Sequence, residues 1–374
     1  MMPTSSLSYD PKHALNAICP YYTMFPLEYP LGILRKHQRE EPIVCDPFCG
    51  RGTTIYAARY LGLPSWGVDA SPIAVAIAKA KLAAAAVEDI LDLATTLLNK
   101  DAKHVPDTEF FRRAYSKATL AKLCALREGL LNLRHATDES VLLRAAALGC
   151  LHGPLTKSTE TASYFSNQMP RTFASKPDYS VRYWKKKRLA APDVDILEVL
   201  KRKLSRIKDL HERPEGASGG VLCTDARRLP LRSNLQKQTS LVITSPPYYG
   251  MRTYVQDQWL RMWFLGGPET VDYHTGQQLD HNGQDTFVDE LATVWKKLAR
   301  STAERVDLYV RFGSVPSTKS DARQLLKSSL EKAEGWKLIS VRHADDAHSG
   351  KRQADQMGGD SEADSEYDFH AVRD

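Results

Sequence analysis

A doubly wound α/β sheet that carries a mostly helical insertion is the fold this sequence predicts, and three observations predict it. Short apolar runs of strand length recur along the chain and end in polar residues, as strands covered on both faces do. Helical stretches separate most of them, the alternation expected of βαβ units. One long segment, residues 87–220, breaks that alternation and shows helical periodicity almost alone.

Taken in order, Ile43-Val44-Cys45 is a short strand, Asp46 to Gly52 a Gly/Pro-rich turn, and Thr53 to Leu61 a small-residue helix. Ser65 to Asp69 is the second strand, and Pro72 suits the first position of an Ala-rich helix reaching about Ala86, because its missing N–H is unpaired there anyway. Within 87–220, Ile90, Leu93 and Leu97 mark one helical stripe, helices are expected over Leu120–Leu133 and Val141–Leu151, and Ile196, Leu200, Leu204 and Ile207 mark another. Ser163 to Leu189 has no clear period and reads as a loop. Strands resume at Val221–Asp225 and Ser240–Thr244. A helix with Phe287, Leu291, Trp295 and Leu298 on one face precedes the strand Val306–Phe312, a helix over Asp321–Glu334 precedes Trp336–Arg342, and Tyr367–Val372 closes a set of about seven strands. Residues 1–86 and 221–374 thus read as two parts of one α/β domain, with 87–220 inserted.

Composition narrows the function classes. The chain has 374 residues, 42% hydrophobic and 26% charged, with a mean hydropathy of −0.41, and no run approaches the roughly 20 apolar residues of a membrane span. Its start lacks the basic-then-apolar pattern of a secretory signal, so a cytoplasmic location is expected. Six cysteines without metal-ligand spacing argue against a disulfide framework or structural zinc. The net charge of +6 fits nucleic-acid binding and fits many enzymes as well.

The strand ends carry the chemistry, since ligands of open α/β sheets bind beyond the carboxyl ends of the strands. The first end reads Asp46-Pro47-Phe48-Cys49-Gly50-Arg51-Gly52-Thr53-Thr54. Gly50 and Gly52 allow a ligand to approach the backbone closely. A dinucleotide fingerprint would need a third glycine where Ile55 stands, and no Gly-Lys-Ser/Thr follows for a P-loop. Asp69, followed by Ala70 and Ser71, ends the second strand where a carboxylate can take ribose hydroxyls. Asp225, followed by Ala226, is placed to receive an adenine amino group. Adenosine without a pyrophosphate is the ligand this set suits. The fourth end is Thr244-Ser245-Pro246-Pro247-Tyr248-Tyr249-Gly250. Two prolines remove two donors, so the loop offers carbonyl oxygens and an aromatic ring, a surface for a planar ring bearing an NH₂ group.

These two motifs resemble those of the amino-methylating DNA methyltransferases, which use S-adenosylmethionine to methylate cytosine N4 or adenine N6. The resemblance covers Tyr21 to about Ala86 and Val221 to the C-terminus. It implies a Rossmann-like class I methyltransferase fold, and it implies that Phe25 and Pro26 pack against the methionine end of the cofactor. It further implies that Ser245 and the Pro246 carbonyl hold the NH₂ protons, with Pro247 fixing the loop and Tyr248 stacking on the extruded base. Ser245 in place of an aspartate leans toward cytosine N4, with adenine N6 the alternative. Carbon-5 methylation is set aside because no Pro-Cys dipeptide is present. The rivals are an RNA base methyltransferase, a methyltransferase of a glutamine amide in protein, and a nucleic-acid-binding protein with an inactive pocket. A restriction-modification or defence setting with a cognate component is implied by the resemblance alone.

For the target, duplex DNA with the base turned out, the sequence offers Met169–Leu189. Arg171, Lys176, Arg182, Lys185, Lys186, Lys187 and Arg188 oppose only Asp178, with Phe173, Tyr179, Tyr183 and Trp184 interleaved. Cations neutralise phosphates and aromatics stack on bases. Arg252 and Tyr254, past the proline pair, are expected to line the same cleft, while Trp259 and Trp263 serve there or in the core. Related enzymes often recognise their target from a segment that follows the third strand motif, whereas the long insert here precedes Asp225. Residues 349–365, with Lys351 and Arg352, are expected to form a loop touching DNA.

Overall fold

The computed structural model describes residues 11–21, 25–154, 162–166, 176–229, 234–250, 255–271, 279, 283–314, 320–344 and 366–374. Arg171, Phe173, Arg252, Tyr254, Lys351 and Arg352 lie outside the described residues.

The strands β1 Ile43–Asp46, β2 Ser65–Asp69, β3 Gly219–Cys223, β4 Thr239–Thr244, β5 Val306–Phe312, β6 Lys337–His343 and β7 Tyr367–Arg373 form one sheet in the order β3-β2-β1-β4-β5-β7-β6. Pairing is parallel from β3 across to β5, and β7 runs antiparallel to both β5 and β6. The predicted doubly wound sheet is therefore present, with a reversed strand near one edge that alternation in sequence does not reveal, because side-chain period carries no direction.

Successive residues supply the two faces. Val44 of β1 and Leu241 and Ile243 of β4 enter one hydrophobic cluster, while Cys45 and Val242 enter the other. The first face is covered by α1 Glu28–His37, α2 Thr53–Tyr60 and α3 Pro72–Lys79. The insertion continues it with α4 Val87–Leu98, α5 Glu109–Ala114, α6 Lys117–Leu131, α7 Asp138–Cys150, α8 Pro177–Lys187 and α9 Ile196–Leu204. The short α10 Asn234–Lys237 leads into β4, and α11 Val255–Phe264 joins the first face. The opposite face is covered by α12 Gln284–Ser301 and α13 Ala322–Ala333. None of the described helices is long and apolar enough to cross a membrane.

Two expectations are corrected. α3 stops at Lys79, well short of Ala86, because the Arg59 guanidinium draws in the carbonyls of Lys81 (3.0 Å) and Ala83 (2.7 Å), which a continued helix would keep for itself. The segment read as a loop up to Leu189 contains α8, which starts on Pro177 and buries Ser180 and Trp184, four residues apart. Two buried positions among so many charges were too few to show a period. The helices of 87–220 pack into the same core as the first face of the sheet, where Ile77 of α3, Ile90 of α4, Trp184 of α8 and Trp263 of α11 belong to one cluster.

Candidate active site

The chain winds outward from β1 through β2 to β3 and then returns to β4 on the other side of β1, so the order reverses between β1 and β4. Ligand clefts of open sheets form at such a reversal. Both conspicuous motifs leave the sheet there, and Thr244 Oγ1 donates to Asp46 Oδ1 at 2.6 Å, fastening the two strand ends to each other.

The β1–α2 turn is held mainly by backbone groups. Cys49 N donates to Val68 O (2.9 Å), Gly50 N to Asp69 Oδ2 (2.9 Å) and Gly52 N to Cys49 O (2.7 Å). Gly50 and Gly52 have φ of +48° and +83°, the left-handed region a side chain disfavours. A Cβ on Gly52 would stand 2.9 Å from Ala78 Cα, whereas one on Gly50 would meet nothing within 4 Å. The loop thus packs tightly on α3 at one glycine and opens at the other. Asp69 Oδ1 accepts from Ser71 N at 2.8 Å, so this carboxylate orders the turns after both β1 and β2, and burial raises its pKa. Tyr21, which sequence reasoning passed over, lies beside Asp69 and Ser71 and brings the N-terminal segment to the same turn. Its signal was its place in the aromatic segment before Phe25 and Pro26. Those two are half-buried, with the Phe25 ring edge-on to Tyr29 at 5.3 Å.

Asp46, Pro47, Thr53 and Thr54 form the floor. Asp46 is 1% exposed and also accepts from Phe48 N at 3.1 Å, and burial pushes its carboxyl up to about 6 against the pull of Thr244, Thr54 and Phe48. It braces the two loops and does not present a carboxylate at the surface. Thr54 Oγ1 donates to Ile243 O at 3.3 Å, and Phe48 turns its ring to Trp295 on the opposite face, at 6.4 Å.

S-adenosylmethionine requires a backbone of close approach, a carboxylate at the ribose and a shelf for adenine. Gly50, with open space where a Cβ would be, fits the first, and half-buried Asp69 beside it fits the second. Asp225 does not match the expected free acceptor. It lies beyond the end of β3, Arg227 N and Nε donate to its Oδ1 at 2.8 and 3.0 Å, and Arg227 Nη2 donates to its Oδ2 at 2.6 Å. Arg227 also pairs with Glu290. An adenine amine there has to share Asp225 with that guanidinium, beside buried Ala226.

In the loop after β4, Ser245, Pro247 and Tyr248 are half-buried and Pro246 is buried. The Tyr248 ring stands edge-on to Phe312 at 5.6 Å, and it and Glu366 close on the same stretch of backbone, where a Cβ on Gly313 would stand 3.0 Å from Tyr248 Cε2 and 3.2 Å from Glu366 Cγ. Tyr249 packs on Phe287 at 5.4 Å.

The structure divides the expected nucleic-acid residues. Lys176, Arg182, Lys185, Lys186, Lys187 and Arg188 are exposed, as is Tyr179, and Tyr183 is half-buried. Trp184, expected among them, is 0% exposed and packs on Phe110 at 5.3 Å, so it serves the core and not a base. Trp259 and Trp263 are core residues too, with Phe110 4.8 Å from Trp259. Lys185 pairs with Glu109 at 2.7 Å, and an open groove of about 530 Å³ beside it is lined by Arg112, Arg113 and Lys117.

Residues 3–80 match the profile of the N6/N4 family described as DNA methylase. A stretch of 104 residues, 27% of the chain, is 32% identical to a type II methyltransferase, M.MjaII, of Methanocaldococcus jannaschii, and it spans 19% of the length of that relative. Among solved structures, the rRNA methyltransferase aviRa of Streptomyces viridochromogenes superposes with a TM-score of 0.36 at 11% identity, covering 99% of this chain and 95% of that one. A putative RNA methyltransferase of Pyrococcus horikoshii gives 0.32 at 10% identity, covering 97% of each chain. These superpositions are loose, and nothing about substrate follows from them.

Proposed function

We propose that this chain, whose residues 3–80 match the profile described as DNA methylase, is an amino-methylating DNA methyltransferase that acts on the exocyclic amine of a base turned out of duplex DNA, cytosine N4 in preference to adenine N6. The observation that carries this reading is the Thr244–Asp46 bond at the strand-order reversal, which sets a turn suited to adenosine beside a loop suited to a planar amine.

S-adenosylmethionine is the cofactor and supplies an electrophilic methyl group. Gly50, Asp69 and the surrounding turn hold it, with Phe25 and Pro26 on the methionine side. The protein's task is the amine, whose lone pair is delocalised into the ring and is a poor nucleophile. Ser245 Oγ and the Pro246 carbonyl accept hydrogen bonds from its two N–H groups and draw the nitrogen toward tetrahedral geometry. Tyr248 stacks on the ring and fixes the angle of attack. The nitrogen lone pair would take the methyl group as the methyl–sulfur bond breaks and the sulfonium leaves as a neutral thioether, and the surplus proton would pass to water. Holding two reactants in line supplies up to about 7 to 11 kcal/mol in the best cases. Extruding the base costs a few kcal/mol, which stacking on Tyr248 and phosphate contacts from the exposed cations of α8 offset.

Ser245 supports cytosine N4 through the resemblance, because within that family a neutral hydroxyl in place of an aspartate is the commoner choice of the cytosine N4 enzymes. Tritiated methyl transfer to unmethylated plasmid DNA, followed by nucleoside separation, tests this. N4-methylcytosine is the expected product, abolished in Tyr248→Ala. N6-methyladenine would replace the base assignment, and labelling of tRNA but not of DNA would overturn the substrate. A setting in restriction or defence, with a cognate component, belongs to the same proposal.

A further inference from the structure

Taking a cation out of water is costly, so a buried lysine or arginine is normally surrounded by acceptors. Among the described residues five such side chains are buried: Arg51, Arg59, Lys81, Arg261 and Arg311. Four of them follow the rule. Arg59 donates to the carbonyls of Lys81 and Ala83, Lys81 Nζ to Leu15 O at 2.6 Å, Arg261 to Leu148 O and Gln258 Oε1, and Arg311 to both oxygens of Asp368. Arg51 is the exception. It is 8% exposed, its Nε is enclosed without a hydrogen-bond partner, and no described carboxylate pairs with it. Burial pulls its pKa down to about 10, with no carboxylate to raise it again, yet a guanidinium stays charged at that value.

This cation stands in the cofactor turn itself. Arg51 follows Gly50, where a Cβ would meet nothing within 4 Å, and precedes Gly52, where a Cβ would come within 3.1 Å of Lys81 Cγ. The turn is therefore open on one side of Arg51 and packed on the other. Across it runs the N-terminal segment, fastened at Leu15 by Lys81 Nζ and seated on α7, where a Cβ on Gly149 would stand 2.6 Å from Ile18 O. Arg51 lies beside Cys19 of this segment, and two residues further on Tyr21 lies beside Asp69. The segment thus reaches from a cation that has no counterion to the carboxylate suited to ribose. Lys81 does not compete for an anion there, because Leu15 O holds its Nζ, and burial together with the nearby Arg51 pushes its pKa well below the usual lysine range.

A guanidinium so enclosed offers little to a DNA backbone, so its anion has to be small and has to come to it. The sulfonium donor carries one such group, the carboxylate of its methionine arm, at the end of the molecule away from the adenine. We propose that Arg51 binds the methionine carboxylate of S-adenosylmethionine and makes that carboxylate a requirement for tight binding. This rests on the methyltransferase reading of the site. Gly50 gives the ligand room and Arg51 gives it charge, and the two planar oxygens of a carboxylate match the fork of a guanidinium. The buried cation is left unpaired by the protein because the ligand completes it.

The test is a calorimetric cycle on the full chain, wild type and Arg51→Met, with two ligands. One is S-adenosylmethionine, and the other is its decarboxylated form, which keeps the sulfonium and the amine. Wild type should bind the decarboxylated ligand about 10- to 100-fold more weakly, the worth of hydrogen bonds between charged groups. Arg51→Met should lose about the same factor for S-adenosylmethionine and bind the two ligands alike. A variant that weakens both ligands equally, and so keeps the wild-type ratio, would show that Arg51 only shapes the turn, and that result overturns the proposal. If Arg51→Met fails to fold, Arg51→Gln, which keeps donors and removes the charge, should narrow the ratio, and an unchanged ratio overturns the proposal in the same way. A wild-type protein that binds neither ligand sinks both this inference and the reading beneath it, whereas one that binds both without distinction sinks this inference alone.

Discussion

The β1–α2 turn and helix α8 carry the two most conspicuous signals in the sequence, and they fold into opposite kinds of structure. In the turn, the work is done by backbone: Gly50, Gly52 and Cys49 donate to fixed acceptors, and the one carboxylate at its root, Asp46, is sealed beneath it. In α8, the work is divided by helical period. Trp184 turns inward onto Phe110, while Arg182 and the cations from Lys185 to Arg188 stay in water. A motif whose chemistry is backbone geometry keeps its meaning wherever the strand ends. A patch of side chains changes meaning residue by residue once a helix sorts it.

The sharpest way to break this contrast is Trp184→Ala. If the ring is core, the variant loses about 3 to 5 kcal/mol of stability, the usual cost of deleting a buried tryptophan, measured by chemical denaturation. If the ring reads DNA, stability changes little and DNA affinity falls at unchanged salt slope. The second test concerns the sealed acid. Asp46 has its carboxyl raised from 3.8 to about 6, so between those values the folded protein binds more protons than the unfolded chain. Its contribution to stability is therefore present below about pH 4 and is lost as pH rises through 6, at about 1.36 kcal/mol per unit and on the order of 3 kcal/mol in all. Asp46→Asn keeps an oxygen for Thr244 and Phe48 and removes the charge. The stability of the variant relative to wild type should grow from pH 4 to 6 and level off above 7. A difference independent of pH would show that Asp46 is not buried as an acid.

Much of the sheet was readable because its strands are bounded by chemistry. β2 and β5 fall where their apolar runs begin and end, and the turn after β1 is marked by its own glycines. What escaped was set by distant partners. Nothing near Lys79 announces that Arg59 will take the next carbonyls and end α3 early. Nothing near Asp225 announces that Glu290, on α12, will share Arg227 with it. The antiparallel β7 and the acid before it depend on how the chain returns to the sheet, so Glu366 meets Tyr248 at Gly313 by tertiary structure alone. Side chains that act through their neighbours are hidden from a linear reading until the neighbours are placed.

The smallest effect on stability is expected from the outer half of α8. Lys186, Lys187 and Arg188 are exposed at its C-terminal end, so exchanging all three for glutamine should change stability little, within about 0.5 kcal/mol for each such surface position. Their charges also favour the helix C-terminus, but each such interaction is worth only about 0.3 to 1 kcal/mol and is screened by salt. Binding is where the change should appear. Every phosphate that is no longer neutralised lowers the slope of log affinity against log salt by about 0.9, so the triple variant should bind duplex DNA more weakly and with a shallower salt dependence. Weakened binding at unchanged slope would mean that these cations act on the fold or on a base, and the division between an inner and an outer face of α8 would have to be redrawn. An unchanged affinity would move the nucleic-acid surface elsewhere, with the groove lined by Arg112, Arg113 and Lys117 as the next stretch to neutralise.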